Sequence, residues 1–272
     1  VGTPGDDTFY PGGGWDVVEG GLGIDTVVVI GRSSQFKLVF ESGVTYIDAT
    51  SGASAMTERT ELINVELVQF LDKTVNLVAN DTFKGQPGTD LIDGGLGTDT
   101  VVYSGPLGQY TVNKSGNRYI VSEPTGSDDT DYLTNIERLK FKDKFIALDL
   151  DGNAGTTAKI LGAVFGKESV SNKNYVGIGL SFLDAGWTYD NLAGLALDAA
   201  GAKSNDQIVS LLWANVIGTK PTAADKAPFI TLLENGMTPG ALAHLAADTS
   251  FNTTNINLVG LAQTGIEYIP VS

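Results

Sequence analysis

Gly20-Gly21-Leu22-Gly23-Ile24-Asp25-Thr26-Val27-Val28 returns 74 residues later as Gly94-Gly95-Leu96-Gly97-Thr98-Asp99-Thr100-Val101-Val102. Ahead of each stands the same shorter echo, Asp7-Thr8-Phe9 and Asp81-Thr82-Phe83. A finer period lies inside each copy, because Asp7, Asp16 and Asp25 are nine apart, as are Asp81, Asp90 and Asp99. Two positions before each Asp stand Gly5, Gly14, Gly23, Ala79, Gly88 and Gly97, and two after it Phe9, Val18, Val27, Phe83, Ile92 and Val101. The pattern predicts a short strand after each Asp that buries one large apolar side chain. The Gly-rich half then turns the chain back, since glycine reaches the positive φ such a turn needs. Two tandem β units follow from the repeat. Their tails match as well: Leu62-Ile63-Asn64-Val65-Glu66 with Asp72-Lys73 corresponds to Leu133-Thr134-Asn135-Ile136-Glu137 with Asp143-Lys144.

If successive nonapeptides alternate between two sides of a stack, the first and third of each array lie above one another. Asp7 then meets Asp25, and Asp81 meets Asp99. Carboxylates and backbone carbonyls gathered in this way form the hard-oxygen set that Ca2+ prefers, whereas Mg2+ resists losing its water. At least two calcium sites are expected, with metal residues Gly5, Asp7, Gly14, Asp16, Gly21, Gly23, Asp25, Asp81, Gly88, Asp90, Gly95, Gly97 and Asp99. On the opposite edge Asp16 or Asp90 stands alone in its array and needs help from Asp6, Glu19, Asp93 or the following strand. The bland alternative is a set of ordinary Gly-Asp turns that need no metal.

Composition agrees with a cation ligand. The 272 residues carry 32 acidic and 17 basic side chains, for a formal charge of −15, which repels nucleic acid and anionic lipid and attracts hard cations. Absence of Cys excludes disulfides and thiolate zinc, and the single His244 excludes a multi-histidine metal site. No apolar run approaches the length of a membrane span, and no basic-then-apolar leader opens the chain. Beginning on Val1 rather than Met, the sequence reads as a fragment or a processed product, with an upstream region to be expected.

Past residue 150 the texture changes from β-branched runs to helical spacing, as in Gln207–Ile217 ending at Gly218. Here too there is repetition: Leu183-Asp184-Ala185-Gly186-Trp187-Thr188 recurs as Leu233-Glu234-Asn235-Gly236-Met237-Thr238, and Phe165-Gly166-Lys167 echoes in Ile217-Gly218-Thr219. The fold class expected is α+β, with strand segments in two tandem copies (1–78 and 79–149) and an all-α duplicated domain over 150–272.

The nonapeptide Gly-Gly-Leu-Gly-Ile-Asp-Thr-Val-Val resembles the repeats-in-toxin (RTX) calcium-binding repeat, and the Leu-x-Asn-(Val/Ile)-Glu tails resemble those beside such repeats in secreted bacterial proteins. That resemblance implies a parallel β-roll with Ca2+ as cofactor. It also implies export by a type I secretion system through an uncleaved C-terminal signal, followed by folding where calcium is met outside the cell. The helical region resembles the DUF4214 domain, although Lys167-Glu168-Ser169-Val170 and Thr219-Lys220-Pro221-Thr222 replace that family's Arg-x-Pro-Asp turn. Gly260–Ser272 looks like the natural end of a type I substrate.

Other candidates are weighed against plain roles. Asp149, Asp151 and Asn153 alternate like the start of an EF-hand loop, which then fails because Ala154 and Ile160 stand where Gly and Glu are needed; a calcium site or a polar turn fits them. Ser127-Asp128-Asp129-Thr130-Asp131 reads as a solvated loop, His244 as a structural residue of an apolar helix, and Trp15, Trp187 and Trp213 as packing residues. No nucleophile motif is present. The expected function is a non-enzymatic, extracellular, calcium-folded structural module of S-layer or adhesin kind. Its partners would be calcium ions, the type I secretion machinery and, at a cell surface, polysaccharide or further copies of itself, without nucleic acid or membrane insertion. The alternatives are a carbohydrate or surface-ligand binder, or the secretion module of a secreted hydrolase.

Overall fold

The computed structural model describes residues 1–41, 44–50, 59–85, 87–124 and 129–271. Contacts divide the chain into two compact units, 1–82 with 93–99, and 83–92 with 100–272. Among the described residues the architecture is α+β, with strands in the N-terminal half, eight α-helices after them and one further strand behind the helices.

Three nonapeptides supply β1 (Thr8–Phe9), β2 (Asp16–Glu19) and β3 (Thr26–Val28). The glycine turns send alternate strands to different sheets, so β1 pairs in parallel with β3, Thr8 opposite Thr26, and β2 joins another sheet. The chain continues as β4 (Phe36–Glu41), β5 (Val44–Ala49), β6 (Arg59–Ile63), β7 (Leu67–Gln69) and β8 (Thr74–Asn76). One sheet runs β1-β3-β7-β8 and the other β2-β6-β5-β4. In both, the nonapeptide strand is continued by a parallel tail strand, β3 by β7 and β2 by β6. The residue two after each Asp faces inward: Val18 and Val27 are buried with Val29, Phe36, Ile47, Leu62 and Val68, and Phe9 packs against them. A fully buried valine of this kind contributes about 1.5–3 kcal/mol.

The second copy repeats the plan with β9 (Thr82–Lys84), β10 (Leu91–Asp93), β11 (Thr100–Val102), β12 (Thr111–Ser115), β13 (Arg118–Ser122), β14 (Thr130–Thr134), β15 (Arg138–Lys140) and β16 (Phe145–Ala147). Its sheets run β10-β14-β13-β12 and β9-β11-β15-β16, the second extended by β17 (Ile266–Tyr268) from the far end of the chain. β17 lies antiparallel to β16, Phe145 opposite Tyr268. A Cβ at Gly177 would fall 1.8 Å from the Ile269 carbonyl oxygen, so only glycine lets the tail lie this close.

The helices are α1 (Asn153–Phe165), α2 (Lys173–Asp184), α3 (Tyr189–Ala199), α4 (Asn205–Ile217), α5 (Ala223–Glu234), α6 (Pro239–Ala247), α7 (Ser250–Asn255) and α8 (Leu258–Thr264). Two successive triplets, α1 to α3 and α4 to α6, begin 50 to 52 residues apart: Asn153 and Asn205, Lys173 and Ala223, Tyr189 and Pro239. Gly186 and Gly236 end the middle helices at φ 85° and 99°. Thr188 and Thr238 cap the next ones, each hydroxyl accepting an N–H three residues on, from Asn191 and Ala241. Ile160, Val164, Leu192, Leu197, Leu212 and Leu242 belong to the core the helices share.

Candidate metal centre

The third glycine turn of the first array sits on the first. A Cβ on Gly21 would lie 2.8 Å from the Thr3 carbonyl oxygen, and one on Gly23 2.7 Å from the carbonyl carbon of Gly5. The carboxylates line up along this stack: Asp7 Oδ2 accepts the Thr3 N–H at 2.6 Å, Asp25 Oδ1 accepts the Asp7 N–H at 2.8 Å, and Glu66 Oε2 accepts the Asp25 N–H at 2.8 Å. Beside this ladder runs a second contact, from the Ile24 N–H to Asp6 Oδ1 at 2.9 Å. Each rung satisfies the backbone of the one before it.

The second array reproduces the arrangement. Asp99 Oδ1 accepts the Asp81 N–H at 2.7 Å and Asn80 Oδ1 the Thr98 N–H at 2.7 Å. A Cβ on Gly97 would stand 2.5 Å from the Ala79 carbonyl oxygen. The one break in the sequence register, Ala79, has a simple reason. Gly14, Gly23, Gly88 and Gly97 all take left-handed φ, at 117°, 128°, 103° and 134°, whereas neither Gly5 nor Ala79 does, so a side chain is tolerated there.

Asp25 and Asp99 are both wholly buried. Burial pushes the Asp99 carboxyl up to about 6, opposed by the Asp81 N–H and reinforced by the charges of Asp81 and Asp93. Asp25 Oδ2 is buried without a hydrogen-bond partner among the described residues. A Cβ at Gly20 would lie 2.5 Å from that oxygen and 1.9 Å from the Asn64 carbonyl, and one at Gly2 would lie 2.8 Å from Asp7 Oδ2 and 1.8 Å from the Gly20 carbonyl. The glycines thus leave a cradle in which carbonyl and carboxylate oxygens come closest and which a side chain would fill. Among the described residues no group of three or more His, Cys, Asp or Glu gathers at one point. A cation here therefore has to draw on backbone carbonyls beside its carboxylates. All-oxygen donors, a glycine cradle and a buried carboxylate oxygen lacking a partner suit Ca2+.

On the other edge Gly14 and Gly88 face open space, with nothing within 4 Å of a Cβ placed on either. Among the described residues Asp16 Oδ2 is buried without a hydrogen-bond partner, while the Asp90 N–H reaches Asp131 Oδ1 at 3.0 Å. Asp131 corrects the reading of its segment as a solvated loop: it is fully buried, and the Tyr103 hydroxyl donates to it at 3.1 Å. Thr60 and Val29 hold the matching places in the first copy. Alternation along β14 was the signal, since Asp131 and Leu133, two residues apart, are its buried positions. Ser127 and Asp128 lie outside the described residues.

Asp149 sits beside the buried Arg138, whose Nη1 donates to it at 2.5 Å, and the Ala154 N–H reaches its second oxygen at 3.3 Å. Arg138 Nη2 also donates to both Asp184 oxygens, at 2.8 and 2.9 Å, and Asn153 Nδ2 donates to Asp184 at 2.8 Å. Burial raises the Asp149 carboxyl above its ordinary value despite the Arg138 charge. Asp151 is exposed. Sequence reasoning missed Glu66, the last rung of the first ladder, and with it the purpose of the recurring tails. Asn64 and Asn135 turn there at φ 49° and 50°. The tryptophan expectation also needs correction at Trp15, which is 65% exposed instead of packed, and in part at Trp187, which touches Phe182 but is 41% exposed. His244 bonds Asp190 at 2.7 Å through Nδ1 and stacks on Tyr189 at 3.7 Å, in a polar cluster on the helix surface.

A repeat protein whose glycine turns stack through aspartates is the class this geometry defines. Residues 1–27 and 79–102 match the RTX calcium-binding nonapeptide repeat (4 copies), a repeat that binds Ca2+. No curated protein matches the chain. Among the described residues no helix is long and apolar enough to cross a membrane.

Proposed function

We propose that the chain is a non-enzymatic extracellular structural module whose repeats close into calcium-bound β-rolls after type I secretion, as part of a surface protein of S-layer or adhesin kind. The observation that carries this reading is the buried, partnerless Asp25 oxygen beneath a turn that admits only glycine. Asp7, Asp25, Asp81 and Asp99, with the carbonyls of their glycine turns, would hold the ions. Bound Ca2+ supplies positive charge and several oxygen bonds at once. The chain's own part is to bring like charges together and to give up glycine freedom, both costly without a cation. At a hundredfold excess over its dissociation constant, one ion bound only by the folded form adds about 2.7 kcal/mol.

The test is melting, followed by circular dichroism, in EGTA and in millimolar Ca2+. The wild-type chain should melt higher with calcium, and Asp25→Ala with Asp99→Ala should lose that increment. An unchanged increment in the double variant would overturn the assignment of these sites.

A second reading, carbohydrate binding, is favoured by exposed Trp15. It shares an open surface hollow with Asp48 and Arg59, which are fixed by a two-pronged ion pair at 2.7 and 2.8 Å. Glycan-array binding abolished by Trp15→Ala would support it.

A further inference from the structure

We infer that the helical region holds one ligand site, a pocket between α1, α2 and α3 for a small, neutral, mostly apolar molecule carrying one hydroxyl or carbonyl. The duplication provides an internal comparison. Each helical repeat encloses an apolar cavity in the equivalent place, about 290 Å3 in the first and about 140 Å3 in the second. The second is narrowed by its own side chains: Trp213 stands where the first repeat has Leu161, Phe229 where it has Gly179, and the two rings pack edge to face at 6.2 Å. The first repeat keeps the room.

It also adds a polar group. Thr157 lines the larger cavity where the second repeat has Val209, and it is 1% exposed with a hydroxyl that has no hydrogen-bond partner among the described residues. A buried hydroxyl left unpaired costs free energy that a ligand oxygen at this point would recover. The rest of the wall is hydrocarbon and aromatic, including Leu161, Tyr175 and Leu195, with Ala199 exposed beside it. No Lys or Arg lines it, and the chain carries −15, so an anion is disfavoured and a neutral ligand fits. The volume is about twice that of an engineered apolar cavity that takes benzene, which sets the size at one or two rings or a medium alkyl chain.

The experiment titrates the full chain in millimolar Ca2+ with 2-naphthol and, separately, naphthalene, by calorimetry or ligand fluorescence. Saturable one-to-one binding of both is expected. Thr157→Val should weaken 2-naphthol about threefold to tenfold, the range of one net hydrogen bond, and leave naphthalene unchanged. Leu161→Trp, which installs the second repeat's residue, should abolish both, and Ala199→Trp on the exposed rim does the same job if the core variant fails to fold. The proposal is overturned if neither probe saturates, if Thr157→Val affects both probes alike or neither, or if binding survives in a folded, cavity-filling variant.

Discussion

Asp25 shows how much of this protein is decided by single atoms. One of its carboxylate oxygens accepts the Asp7 N–H, and the other is buried with no hydrogen bond among the described residues. Asp25→Asn keeps a backbone acceptor and removes the charge. In EGTA this variant should melt no lower than the parent, because a buried charge is gone, while in calcium it should lose most of the first array's increment. The steric counterpart is Gly20. Gly20→Ala drives a methyl against the Asn64 carbonyl and should cost about 1–3 kcal/mol in either condition, measured by urea unfolding. The nine-residue aspartate register was legible in the sequence because each rung repeats one chemical pattern. Glu66 and Asp131 were not, because a rung contributed from 41 residues away leaves no local period to read.

Among the elements, strand direction followed from the repeat, and so did the helical duplication, since Gly stops and Thr caps are local signals. The pairing of β17 with β16 was not legible. Three residues with no flanking pattern became a strand because an edge was available and because Glu267 bonds Lys144 at 2.8 Å and pairs with Lys173. Burial raises the Glu267 carboxyl, but these two lysines outweigh it and hold the group below its ordinary value. A lowered folded value means that the contribution is present above the unfolded pKa of 4.5 and is lost as pH falls through the folded one. Hydrogen exchange at the amides of Ile266–Tyr268, corrected for intrinsic rates, should therefore lose protection as the pH falls below 4.5. Glu267→Gln should remove that pH dependence.

At the scale of the molecule, the excess of acidic side chains and the glycine content work together. A net charge of −15 opposes compaction, and the repulsion is felt over a Debye length of about 30 Å at 0.01 M salt but only about 8 Å at 0.15 M. Adding NaCl over that range in EGTA should raise the melting temperature, and the same addition in saturating calcium should raise it less. A flat response in EGTA would count against charge repulsion as the obstacle to folding. Composition pointed to a hard cation from the outset. The ion-paired Arg138, by contrast, is buried at 4% exposure between Asp149 and Asp184, which come from two separate segments, and no single stretch announced it.

The placement of β17 has one more consequence. Without residues 266–268 the backbone of Phe145–Ala147 would lie along a bare sheet margin, an invitation to adhere to any extended polypeptide nearby. Cleavage just before Ile266 would therefore leave a sticky seam on the part that remains.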